Sequence, residues 1–116
     1  MQLKTKRVYE PKADGDGMRI LVDRLWPRGL TKADAAVDLW LKEIAPTTEL
    51  RRWFHAGEGG WEEFRARYLA ELDGNPAAVE QLRQRLEEGP VTLLFSVKDE
   101  TQNHAELLKS YMLKCL

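Results

Sequence analysis

Two short apolar runs, Met18-Arg19-Ile20-Leu21-Val22 and Val91 to Val97, constrain the fold of this chain more than any other feature. Each is the length of a strand. Apolar side chains in such runs face both ways along the strand, and strands buried on both faces belong to parallel sheets covered by helices. Leu3 to Tyr9 adds a short strand before the turn at Asp14-Gly15-Asp16-Gly17, and Val37 to Ile44, alternating Val37, Leu39 and Leu41 against Asp38, Trp40 and Lys42, reads as a third strand in chain order.

Helical periodicity fills most of the rest. Thr31 with Asp34 three positions on predicts a short capped helix. Thr47 caps a helix with Leu50, Trp53 and Phe54 on one face, ending near Gly57. Trp61, Phe64, Tyr68, Leu69 and Leu72 form the stripe of the next, and Asn75-Pro76 opens a further helix that carries Val79, Leu82 and Leu86 to a stop at Gly89-Pro90. Thr101 is expected to open the last, with Ala105, Leu108, Tyr111, Met112 and Cys115 on its inner face. The order β-β-α-β-α-α-α-β-α implies an α/β protein with a small, mostly parallel four-stranded sheet and helices packed on its faces. At 116 residues, 43% of them apolar, one core and a single domain over 1–116 are expected.

Several function classes fall away. No apolar stretch approaches the roughly 20 residues needed to cross a bilayer, and no signal-peptide pattern opens the chain, so a cytoplasmic protein without membrane contact is expected. With one cysteine, Cys115, and two histidines, there is no disulfide and no metal-ligand spacing. No cofactor is implied. Ser96 and Ser110 lack a nucleophile-elbow pattern, and the glycines at 15 and 17 lack the phosphate-loop lysine and the dinucleotide-binding spacing. A net charge of −1 disfavours general nucleic-acid binding and requires any anion site to be local.

Ligands of open α/β sheets bind at the carboxyl ends of the strands. One strand end delivers Asp23, Arg24 and, a loop further, Arg28; the other delivers Lys98, Asp99 and Gln102-Asn103-His104. If the strands are neighbours, these sets share one rim, which Arg7 would reach from the first strand. Guanidinium forks, an ammonium, an amide and an imidazole suit a phosphate or carboxylate. Asp23 could orient Arg24 or act as a base, and His104, in the first turn of a helix, could exchange hydrogen bonds with a substrate. The bland reading is that these are structural ion pairs fixing loops. Trp40, Trp53 and Trp61 read as packing residues, His55 as a solvent-exposed helix end, and Trp26, between two arginines, as the one tryptophan placed for ligand stacking.

Lys6-Arg7-Val8-Tyr9 followed by Arg19 to Gly29, with Asp23-Arg24-Leu25-Trp26-Pro27-Arg28-Gly29 at its centre, resembles the YeaO-like proteins, domain-of-unknown-function family 488. The likeness continues through Trp40-x-Lys42-Glu43, Ala45-Pro46-Thr47, Trp61-x-x-Phe64, Tyr68-x-x-Glu71-Leu72 and Asn103-His104-Ala105. The chain departs from that pattern at Phe95-Ser96-Val97-Lys98, where relatives often have Tyr-Ser-Ala-Lys, and at Pro46-Thr47-Thr48, where Pro-Ser-Thr is common. The resemblance implies a small bacterial α/β protein and brings no activity with it. Two readings stand: an enzyme acting on a small anionic metabolite, with Asp23 and His104 as candidate catalytic groups, or a non-catalytic module binding such an anion or nucleic acid. Oligomeric state is left open.

Overall fold

The computed structural model describes residues 2–115. Four strands, β1 (Leu3–Arg7), β2 (Met18–Leu21), β3 (Leu39–Trp40) and β4 (Val91–Phe95), form one sheet in the order β1-β4-β2-β3. Every pairing is parallel. The two apolar runs are therefore central neighbours, as expected, with Ile20 opposite Leu93 and Leu21 opposite Leu94, and both strands are almost wholly buried.

Alternation along these strands sends side chains to two different cores. Leu3, Ile20, Val91, Leu93 and Phe95 pack with α2 (Thr48–His55), α3 (Trp61–Asp73), α4 (Pro76–Glu88) and α5 (His104–Lys114) through Leu50, Phe64, Tyr68, Leu72, Leu82, Leu86, Leu108 and Met112. The other face is covered more thinly. There Leu21, Leu94 and Val8 meet Ala35 of the single-turn helix α1 (Lys32–Ala35), with Trp26, Leu30, Val37 and Trp40 around them.

Three elements differ from expectation, each because side chains claim backbone groups that would have continued a ladder or a helix. The segment Val37 to Ile44 is strand only at Leu39–Trp40 and then turns into a 3-10 helix at Lys42–Ile44. Ala36 adopts the left-handed conformation, which throws Val37 onto the same face as Trp40 and breaks the alternation, while the Tyr68 hydroxyl takes the Ile44 carbonyl. β4 stops at Phe95 rather than Val97, since Ser96 N donates to Asp23 and the Ser96 and Val97 carbonyls accept from Arg7. The last helix begins at His104 because Asn103, not Thr101, is its cap: Asn103 Oδ1 accepts from Glu106 N, and Thr101 is held in a turn by Asp99.

At the amino end of the sheet, Asp16 is buried against Arg19 Nη1 at 2.6 Å and Lys6 Nζ at 3.2 Å. Arg19, fully buried, also donates to the Ala35 and Ala36 carbonyls and so ties α1 to β2. Gly17, with φ +66, leads into β2, and a Cβ there would overlap the Pro90 carbonyl.

Candidate functional site

β2 and β4 lie side by side, yet the chain leaves them toward opposite faces: through the loop and α1 on one side and into α5 on the other. Diverging connections open a crevice at the carboxyl ends of adjacent strands, the place where α/β sheets receive ligands. A cleft of about 600 Å³ opens there. Its walls come from the 23–28 loop, from Ser96 to Asp99 and the start of α5, and from α2 and α3 through Arg51, Phe54, His55, Trp61 and Phe64.

Arg24, Arg28, Lys98, Asn103 and His104 all border this one cleft, together with Asp23. Arg7 does not. Its guanidinium is turned into the protein, donating from Nε to Val97 O and from Nη2 to Ser96 O, both at 2.9 Å, which holds the end of β4 in place. A chain terminus of a strand exposes carbonyls without ladder partners, and an adjacent arginine fork satisfies two at once.

Two other expected ligand groups are also engaged inside the protein. Asn103 is buried, its Oδ1 capping α5 and its Nδ2 donating to Asp99 O at 2.9 Å. Asp23 does not orient Arg24; its Oδ2 accepts from Ser96 N at 3.0 Å and from Ser96 Oγ at 2.6 Å. His104 Nε2 stands 3.0 Å from Val22 O and 3.1 Å from Asp23 Oδ1. Both neighbours are acceptors, so the hydrogen must sit on Nε2, and it is aimed at the carbonyl, leaving Asp23 Oδ1 buried without a hydrogen-bond partner. In the neutral ring this tautomer leaves Nδ1 as the acceptor.

The cations of the rim are arranged otherwise. Among the described residues, Lys4, Lys6, Arg19, Arg67, Arg83 and Arg85 have carboxylates within ion-pair distance; Arg24, Arg28, Arg51 and Lys98, like the remaining lysines and arginines, have none. Arg24 gives one Nη2 bond to Ala45 O at 2.9 Å, and its Nε is buried without a partner. Arg28 and Lys98 are exposed. Four positive side chains thus converge on one opening of a chain whose net charge is −1.

The far wall is aromatic. Phe64 is buried and lies 4.7 Å from Phe54 and 5.4 Å from Trp61, centroid to centroid, with interplanar angles of 35° and 21°. Phe54 and Trp61 remain partly exposed in front of it. Trp26 also borders the cleft, edge-on to Trp40 at 5.5 Å, with Nε1 donating to Leu30 O. Behind Phe64, burial drives the Tyr68 hydroxyl far above its ordinary range, so it stays a neutral donor to Ile44 O. Sequence reasoning missed Arg51, Phe54 and His55 as cleft residues. Their signal was there, since positions i, i+3 and i+4 of a helix share one face.

Among the described residues there is no group of three metal-ligating side chains and no helix long and apolar enough to cross a membrane. A family model described as "Inactive DUF488-N3 subclade" matches residues 2–116. The chain belongs to the DUF488 family. Among its relatives, the Escherichia coli (strain K12) protein YeaO is 48% identical over 112 residues, covering 97% of each chain. Proteins of Mycobacterium tuberculosis and Mycobacterium bovis are 38% identical over 107 residues, 92% of this chain and 90% of theirs. No solved structure matches this DUF488 chain.

Proposed function

We propose that the protein binds a small anion, a phosphate or carboxylate compound, in this cleft and performs no chemistry on it. The observation that carries the reading is the set of Arg24, Arg28, Arg51 and Lys98, unpaired with any described carboxylate and gathered on one concave site. Arginines without a carboxylate partner, such as the exposed Arg28, recognise planar or tetrahedral anions by paired hydrogen bonds. Against chemistry stand the internal bonds of Asp23 and Asn103 and the word "Inactive" in the description of the matching subclade. The concave form of the site favours a small ligand over a nucleic-acid track, which the net charge also disfavours.

A second reading has one observation in its favour. His104, with Nε2–H directed at Val22 O and beside Asp23, keeps Nδ1 for a ligand, the arrangement of an acid–base group. The test is a thermal-melting screen against phosphate, carboxylate, sugar-phosphate and nucleotide panels, followed by chromatography of each stabilising compound after long incubation. Compounds that raise the melting temperature and are recovered unchanged support the proposal. Conversion that disappears in His104→Gln, with stabilisation retained, establishes the enzyme instead.

A further inference from the structure

Within the anion-binding reading, on which this step rests, we infer that the ligand is an organic anion carrying a flat aromatic ring. The ring lies on the Phe54–Trp61 wall while the anionic group is held at Arg28 and Lys98. Three features of the cleft lead there. Its volume of about 600 Å³ falls among sites for whole organic molecules, and inorganic phosphate would leave most of it to water. Three of the four cations, Arg24, Arg28 and Lys98, come from the 23–28 loop and the segment after β4, whereas α2 and α3 contribute Phe54 and Trp61 with Arg51 beside them, so the Arg28–Lys98 charge and the ring surface are offered by different walls. The aromatic wall is already assembled: Phe64 backs Phe54 and Trp61 at 4.7 and 5.4 Å, so little ordering cost attends stacking against it.

Stacking of a base on an aromatic side chain contributes about 1–3 kcal/mol, equivalent to roughly 5- to 150-fold in affinity. An aliphatic anion gains none of this. Water against the partly exposed rings has few partners, so its displacement by a ligand ring adds to the preference. The shared chemistry, an aromatic ring with an ionised group, is met by a nucleoside monophosphate and by an aromatic carboxylate.

The experiment is calorimetric titration at fixed ionic strength with adenosine 5′-monophosphate, indole-3-acetate, ribose 5-phosphate and inorganic phosphate. At least one aromatic anion should bind ten times or more tighter than ribose 5-phosphate, and which one does distinguishes the phosphate from the carboxylate source. Trp61→Leu, which removes the ring and keeps an apolar side chain, should remove most of that advantage and leave ribose 5-phosphate binding unchanged. If the unliganded Trp61→Leu protein melts well below wild type, Phe54→Leu carries the comparison. Equal binding of adenosine 5′-monophosphate and ribose 5-phosphate, with neither variant altering either, overturns the ring assignment and leaves anion binding standing. Failure of all four compounds, together with a screen in which no anion stabilises the protein, removes both.

Discussion

Asp23 sits where the ends of β2 and β4 meet, and its bonds to Ser96 N and Oγ decide which neighbours are left for a ligand. Arg24 and Arg28 then have different roles, although they are four residues apart. Arg28 is exposed and its side chain has no described carboxylate partner, so Arg28→Lys should leave the melting temperature within about 2 °C and weaken anion binding tenfold or more, roughly 1.4 kcal/mol, by loss of the fork. Arg24→Lys should lower both, since Arg24 also holds Ala45 O. Calorimetry and melting of the two variants side by side check this. At the other end of the sheet, burial alone would raise the Asp16 pKa. Hydrogen bonds from Ala13 N, Arg19 and Lys6 outweigh it and hold the carboxyl down to about 2 against an ordinary 3.8. A depressed carboxyl stabilises the fold above its unfolded pKa and ceases to as pH falls through its folded one. Urea unfolding should therefore show about 2 kcal/mol lost through Asp16 between roughly pH 5 and pH 2. Asp16→Asn should be less stable at pH 7 and flatter over that interval. An Asp16→Asn curve as steep as wild type would contradict the assignment. At this scale the sequence was legible for residue type and position along the chain, but not for pairing. Nothing in one dimension says that Arg7 turns toward Ser96 and Val97, or that Asn103 caps α5 with Oδ1 while Nδ2 holds Asp99 O.

The helices and strands were legible wherever a local signal and burial agreed. Thr47 and Pro76 start α2 and α4 where their chemistry requires, and the Phe64–Tyr68–Leu72 stripe of α3 faces the core with Phe64 only 5% exposed. Phe64→Ala should cost about 3–5 kcal/mol in chemical denaturation, since it empties a site shared by Phe54, Trp61 and Tyr68. A loss below about 1 kcal/mol would mean that the stripe is not core. The same ring backs the cleft, so a truncated protein that still folds should also bind anions less well. β3 shows the limit of periodicity. Val37, Leu39 and Leu41 alternate on paper, but the left-handed Ala36 precedes the paired residues, and the 3-10 helix at Lys42–Ile44, to which Tyr68 bonds at Ile44 O, follows them. Those are tertiary events.

For the whole molecule, the decisive fact is topological: two adjacent parallel strands whose connections diverge leave an opening, and the chain gathers unpaired cations around it. That neighbourhood was legible in the sequence because both runs are predominantly apolar and each is followed by charged residues. The α2–α3 wall was not, because a helix pattern identifies a buried face without saying what lies at its rim. The most direct test is the melting-temperature shift produced by a panel of phosphate and carboxylate compounds, at fixed ionic strength, in wild type and in an Arg28→Ala/Lys98→Ala variant. Both replaced residues are exposed, so the free proteins should melt alike. The account predicts that a narrow class of anions stabilises wild type, and that the shift largely vanishes in the double variant. A panel without any stabilising anion, or an undiminished shift in the variant, would contradict it.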